Sequence, residues 1–146
     1  MQNKWKSWGL VGLQFGFLGL LIAQSHVQLS SWESFLYIGG GLLGLWAVAV
    51  MGIGNFNVIP DVKENAVLIH QHKPYCWIRH PMYTSFLLIC LGLVFQPFEW
   101  IKLLEWLGLV GVLNFKATYE EMLLKQTFED YQTYCARTTR FIPGVF

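Results

Sequence analysis

Charge is what this sequence has least of. Of its 146 residues, 13% are Asp, Glu, Lys or Arg, against roughly 25% in an ordinary soluble domain. A water-facing surface on a domain of this size needs polar residues to cover it, so the shortage argues against a soluble fold. Intrinsic disorder is excluded by the same composition. The net charge is only +1, which excludes the basic face of a nucleic-acid-binding domain. Cysteine is scarce too. Cys76, Cys90 and Cys135 are an odd number with no Cys-x-x-Cys pair, so neither a disulfide framework nor a zinc knuckle is implied. No Gly-x-Ser-x-Gly, P-loop or His-Glu-x-x-His pattern occurs. His70 and His72 have no third ligand nearby in the sequence and read as loop histidines, so no metal is expected.

What is present is apolar length. Hydrophobic residues make up 54% of the chain, and 14 glycines come on top. No charged residue occurs from Ser7 to Trp32, from Ser34 to Pro60, or from His80 to Phe98, runs of 26, 27 and 19 residues. A membrane-spanning helix needs about 20 mainly apolar residues. A fourth span fits if a helix starts near Trp100 and runs to about Tyr119, with Lys102 and Glu105 at one interface beside Trp100 and Trp106. The expectation is a single all-α domain over 1–146: a bundle of about four transmembrane helices near 8–24, 35–53, 82–96 and 100–119.

Four spans put both termini on one side. Nine of the ten basic residues then share that side and Lys102 alone lies opposite, so the positive-inside rule places both termini in the cytoplasm. Lys4 and Lys6 before an apolar stretch would also suit a signal peptide, but no convincing small-residue cleavage site follows. Gly39, Gly40, Gly41 and Gly44 form a small-residue surface for close helix packing, and Gly9, Gly12, Gly16 and Gly19 are expected to do the same in the first span. Such faces also allow contacts between copies.

Polar residues beside a bilayer are costly and mark function. Three clusters stand out. Tyr75 to Tyr83 includes Arg79, His80 and Pro81. Pro81 suits the first turn of a helix, so the residues before it form a helix N-terminus, a natural carboxylate or phosphate site. At the end of the fourth span, Lys116 and Glu120 are i,i+4 neighbours and Glu121 follows. Adjacent carboxylates point about 100° apart, so only one of Glu120 and Glu121 can face a given pocket. A carboxylate there suits the paired hydroxyls of a ribose. In the tail, Tyr131 and Tyr134 lie i,i+3 on a short amphipathic helix, with Phe141 and Ile142 re-entering the interface.

Taken in order, Leu68-Ile69, Pro74-Tyr75, Arg79-His80-Pro81-Met82-Tyr83, Glu120-Glu121, Tyr131-x-x-Tyr134 and Arg140-Phe141-Ile142-Pro143 resemble the isoprenylcysteine carboxyl methyltransferase and phospholipid methyltransferase family of integral membrane enzymes. The resemblance covers roughly Pro60 to Pro143. It implies a methyltransferase that uses S-adenosylmethionine, releases S-adenosylhomocysteine, and takes a lipophilic acceptor sideways from the membrane. The cytoplasmic cofactor elements would be 60–83 and 116–146. The implied cofactor site comprises Leu68, Ile69, His70, Tyr75, Arg79, His80, Pro81, Met82, Tyr83 and the pair Glu120 and Glu121. Lys116, where the family usually has arginine, would face the acceptor. That acceptor is left open among a thiol, an amine, an isoprenylcysteine-like carboxylate and a lipid headgroup. Lys73 in place of a family glycine, with Lys116, motivates a second reading: a non-catalytic lipid-binding or scaffold protein that keeps the fold.

Overall fold

The computed structural model describes residues 4–27, 32–52, 68 and 71–144. These form five helices and no strand: α1 (Lys4–Ala23), α2 (Ser34–Met51), α3 (Pro81–Val94), α4 (Trp100–Thr127) and α5 (Tyr131–Arg137). Two of them, over Trp5–Ala23 and Ser34–Met51, are long and apolar enough to cross a membrane. α3 is apolar but only 14 residues long.

Local chemistry sets the helix ends. Pro81 occupies the first turn of α3, where its missing N–H is not needed. Gly52 ends α2 with φ 74°, and its N–H donates to Val48 O, a left-handed stop that suits glycine. α4 runs past the expected end near Tyr119 to Thr127. The bilayer limits a span, not a helix, and Glu120 to Gln126 contains no glycine or proline to stop the backbone.

The core gathers Leu21, Leu87, Cys90, Leu93, Val94, Leu109 and Leu113. α2 packs chiefly on α3, and α1 on α4. The α2–α3 seam is close because α2 has no side chain there. A Cβ placed at Gly40 would lie 2.9 Å from the Ser85 carbonyl oxygen and 2.8 Å from Ile89 Cγ1. Ser85 Oγ donates to Gly40 O at 2.6 Å. Gly40→Ala is therefore expected to destabilise the fold by about 1–3 kcal/mol through overpacking. Gly41→Ala should not, since nothing lies within 4 Å of a Cβ there. Thermal unfolding of the two variants checks this.

The glycines of α1 behave otherwise. A Cβ at Gly9, Gly12, Gly16 or Gly19 meets nothing within 4 Å, so they line no packing surface among the described residues. α1 buries the opposite face, through Ser7, Val11, Gln14 and Leu21.

The exterior of the bundle is apolar as well as its core, and several polar side chains are buried. Large apolar side chains point outward, with Phe35 78% exposed and Phe115 72%. Charged and amide side chains point inward, with Lys102 0% exposed, Lys116 1% and Gln14 8%. At the end of the bundle away from Pro81, Lys102 Nζ donates to Leu93 O at 3.2 Å and Ser25 Oγ to the same oxygen at 2.9 Å. A cation at the C-terminal end of α3 offsets the helix dipole. Among the described residues, no buried side-chain nitrogen or oxygen lacks a hydrogen-bond partner.

Candidate functional site

At the Pro81 end, segments far apart in the sequence meet. The tail lies along the loop before α3. The Arg79 N–H donates to Thr139 O, the His80 N–H to Arg140 O, and the Thr139 N–H to Trp77 O. Thr84 Oγ1 donates to Phe141 O at 2.8 Å. α5 turns Tyr131 and Tyr134 inward, and both are buried. Tyr134 OH donates to Tyr75 O at 2.7 Å, and Tyr75 OH to Ala47 O at 3.3 Å. The tail helix thus grips the motif loop, which in turn touches α2.

Glu121 is the hub. Arg79 Nε donates to its Oε1 at 2.9 Å and Arg140 Nη2 to its Oε2 at 2.8 Å. His80 Nε2 lies 3.2 Å from Oε1. Arg79 Nη1 also donates to the carbonyls of Cys135 and Thr138. Arg140 Nη1 donates to Asn114 Oδ1 at 2.6 Å. Burial pushes the Glu121 carboxyl up, but hydrogen bonds from His80, Arg140 and Arg79 outweigh it and hold the carboxyl well below the usual carboxylate range. Burial works against the Arg79 charge, and Glu121 outweighs that too, raising the guanidinium above its ordinary value. Burial raises the Tyr75, Tyr131 and Tyr134 hydroxyls, which keeps them neutral hydrogen-bonding groups.

Glu120 differs. Its side chain is 20% exposed against 6% for Glu121. It accepts from Tyr83 OH at 2.9 Å and faces His80 Nδ1 at 3.5 Å. His80 therefore sits between both carboxylates, one at each ring nitrogen. Its ring stacks on Tyr83 at 5.2 Å with 3° between planes, and Phe141 packs against both rings. Lys116 Nζ lies 5.1 Å from the Tyr83 ring centroid and donates to Gln14 Oε1 at 2.8 Å.

Tyr75, Arg79, His80, Pro81, Tyr83, Lys116, Glu120 and Glu121 thus converge. Met82 stands in the first turn of α3 and Leu68 is half-buried. Ile69 and His70 lie outside the described residues. Phe141 is buried against the site instead of re-entering an interface, because the His80 and Tyr83 rings offer it apolar cover.

Sequence reasoning missed three partners. Gln14 is the one amide between Trp8 and Ala23, and a lone polar residue in an apolar span is a signal in itself. Arg140 was read only as part of a tail motif. Asn114, which anchors it, carried no signal.

Chemically, Glu121 is committed to three partners, so it serves to tie the site together. Glu120, partly exposed beside two aromatic rings, remains able to accept further hydrogen bonds. Among the described residues no group of three or more His, Cys, Asp or Glu side chains is placed to hold a metal ion. Compared with protein-family models, curated proteins and solved structures, the chain matches none of them.

Proposed function

We propose that this chain is a four-span integral membrane protein with both termini cytoplasmic, which transfers a methyl group from S-adenosylmethionine to a lipophilic acceptor. The observation that carries the reading is the convergence just described: the arginine–histidine–proline loop, the glutamate pair and the tyrosine-bearing tail form one cluster at one end of the bundle. That is the end where nine of ten basic residues belong under the positive-inside rule. The apolar exterior supports the membrane setting, since exposed apolar surface of this extent suits lipid and not water. The 14-residue α3 is shorter than a lone span requires, and α2 and α4 pack against it on the inside of the bundle.

The residues present fit the cofactor by the chemistry of their donors and acceptors. Glu120 would accept the paired hydroxyls of its ribose. The exposed Trp77 ring offers aromatic surface to adenine or to a sulfonium cation. When bound, S-adenosylmethionine supplies an activated methyl group. The chain's own task is then to orient, to exclude water and to hold the acceptor in line. Lys116 would meet the acceptor, with an isoprenylcysteine-like carboxylate, a thiol, an amine or a lipid headgroup as the classes it could meet.

Titration of S-adenosylhomocysteine into the purified protein in detergent tests the reading. Micromolar binding is expected, weakened about 10- to 100-fold in Glu120→Gln and in His80→Ala, the loss of a charged hydrogen bond. One observation favours the second reading, a non-catalytic lipid-binding or scaffold protein: the buried polar groups of the site satisfy one another without a ligand. Folded protein that binds no S-adenosylhomocysteine would decide for it.

A further inference from the structure

On the outer face of the α1–α4 seam lies an open, apolar groove of about 390 Å³, lined by Lys6, Gly9, Leu10, Leu13, Phe115 and Tyr119. We propose that it holds one acyl chain of an anionic phospholipid, with the phosphate on Lys6. The inference rests on the membrane setting proposed above and not on methyl transfer.

Shape is the first argument. α1 and α4 are in close contact where Phe17 packs over Gly108; a Cβ there would meet the Phe17 ring at 2.8 Å. Beyond that wedge the two helices leave the groove between them, lined on α1 from Lys6 to Leu13, about 10 Å of helix. A second helix, about 10 Å across, would use up such a volume in about one turn. The headgroup-proximal part of an extended acyl chain fits along it.

Charge is the second argument. Lys6 forms none of the ion pairs found among the described residues. The carboxylates next to Tyr119 face away from the groove: Glu120 toward Tyr83 and Glu121 toward Arg79 and Arg140. The groove therefore presents a cation at its mouth with no carboxylate lining it, at the membrane face where the positive-inside rule puts anionic headgroups within reach.

Native mass spectrometry of the detergent-purified protein, titrated with dioleoyl phosphatidylglycerol or dioleoyl phosphatidylcholine, tests this. The wild type should retain phosphatidylglycerol about fivefold better than phosphatidylcholine, the effect of one lysine at a charged headgroup. Lys6→Gln should bring the two lipids level. Gly9→Leu, whose Cβ has nothing within 4 Å and whose side chain narrows the groove, should reduce retention of both. Equal retention by the wild type, a preference unchanged in Lys6→Gln, or a dimer of the chain in place of the lipid adduct overturns the proposal. S-Adenosylhomocysteine binding measured on the same protein stands apart from every one of these outcomes.

Discussion

Glu121→Gln is expected to lose about 3–5 kcal/mol of stability, because removing one partner of a buried ion pair leaves the other charge uncompensated. Here two cations are stranded, Arg79 and Arg140, with side chains 11% and 19% exposed. Their remaining bonds to Cys135, Thr138 and Asn114 limit the loss without replacing the charge. Glutamine keeps the shape, so the measurement reads charge and not packing. Thermal unfolding in detergent gives the value, and a drop under about 1 kcal/mol would mean that water already screens the cluster.

The pH dependence has a definite sign. The folded Glu121 carboxyl lies well below its ordinary value of 4.5, so the unfolded chain takes up the proton first. The contribution is fully present above about pH 4.5 and is lost as the pH falls below that toward the folded value, by up to about 1.4 kcal/mol per pH unit. Glu121→Gln should remove that part of the acid slope. Set beside Glu120→Gln, it separates the two carboxylates. Loss at Glu121 unties the tail from the loop and lowers stability, whereas loss at Glu120 should weaken binding of the proposed cofactor and leave the melting temperature close to wild type.

Much of this was legible before the structure. The apolar stretches expected near 8–24, 35–53 and 82–96 located α1, α2 and α3 to within a few residues, because long apolar runs without charge favour buried or lipid-facing helices. Pro81 marked the start of α3, and the i,i+3 tyrosines marked α5. The site's members were legible as types, since polar residues beside apolar runs stand out. Their division of labour was not. Glu120 and Glu121 share every local property of sequence, and only the placement of Arg79 and Arg140 makes one a buried tie and the other a reachable acceptor. The glycines of α1 misled for a related reason. Small residues permit close packing but do not require it, and the face that packs is set by Val11, Gln14 and Leu21, which reach α4 on the opposite side. Arg140 to Asn114 and Lys116 to Gln14 join residues 26 and 102 positions apart, and no local periodicity reports such pairs.

The Lys116–Gln14 bond carries the second large effect. Gln14→Leu is expected to destabilise by about 3 kcal/mol, because it leaves a buried ammonium without the acceptor that satisfies it. Lys116→Met should cost less, since the amide left behind is neutral. The double variant should be more stable than Gln14→Leu alone, because two apolar side chains of similar size need no partners. That reversal, read from thermal unfolding as a double-mutant cycle, separates a desolvated polar pair from mere crowding, in which the two losses would add. It also tests the acceptor side of the site. Neither residue forms an ion pair with Glu120 among the described residues, so the double variant should retain S-adenosylhomocysteine binding. If Lys116 meets the acceptor, the same variant should fail to pass a labelled methyl group to it. Intact cofactor binding with lost transfer would make Lys116 an acceptor contact, while transfer at the wild-type rate would leave the buried lysine a tie between α1 and α4 and nothing more.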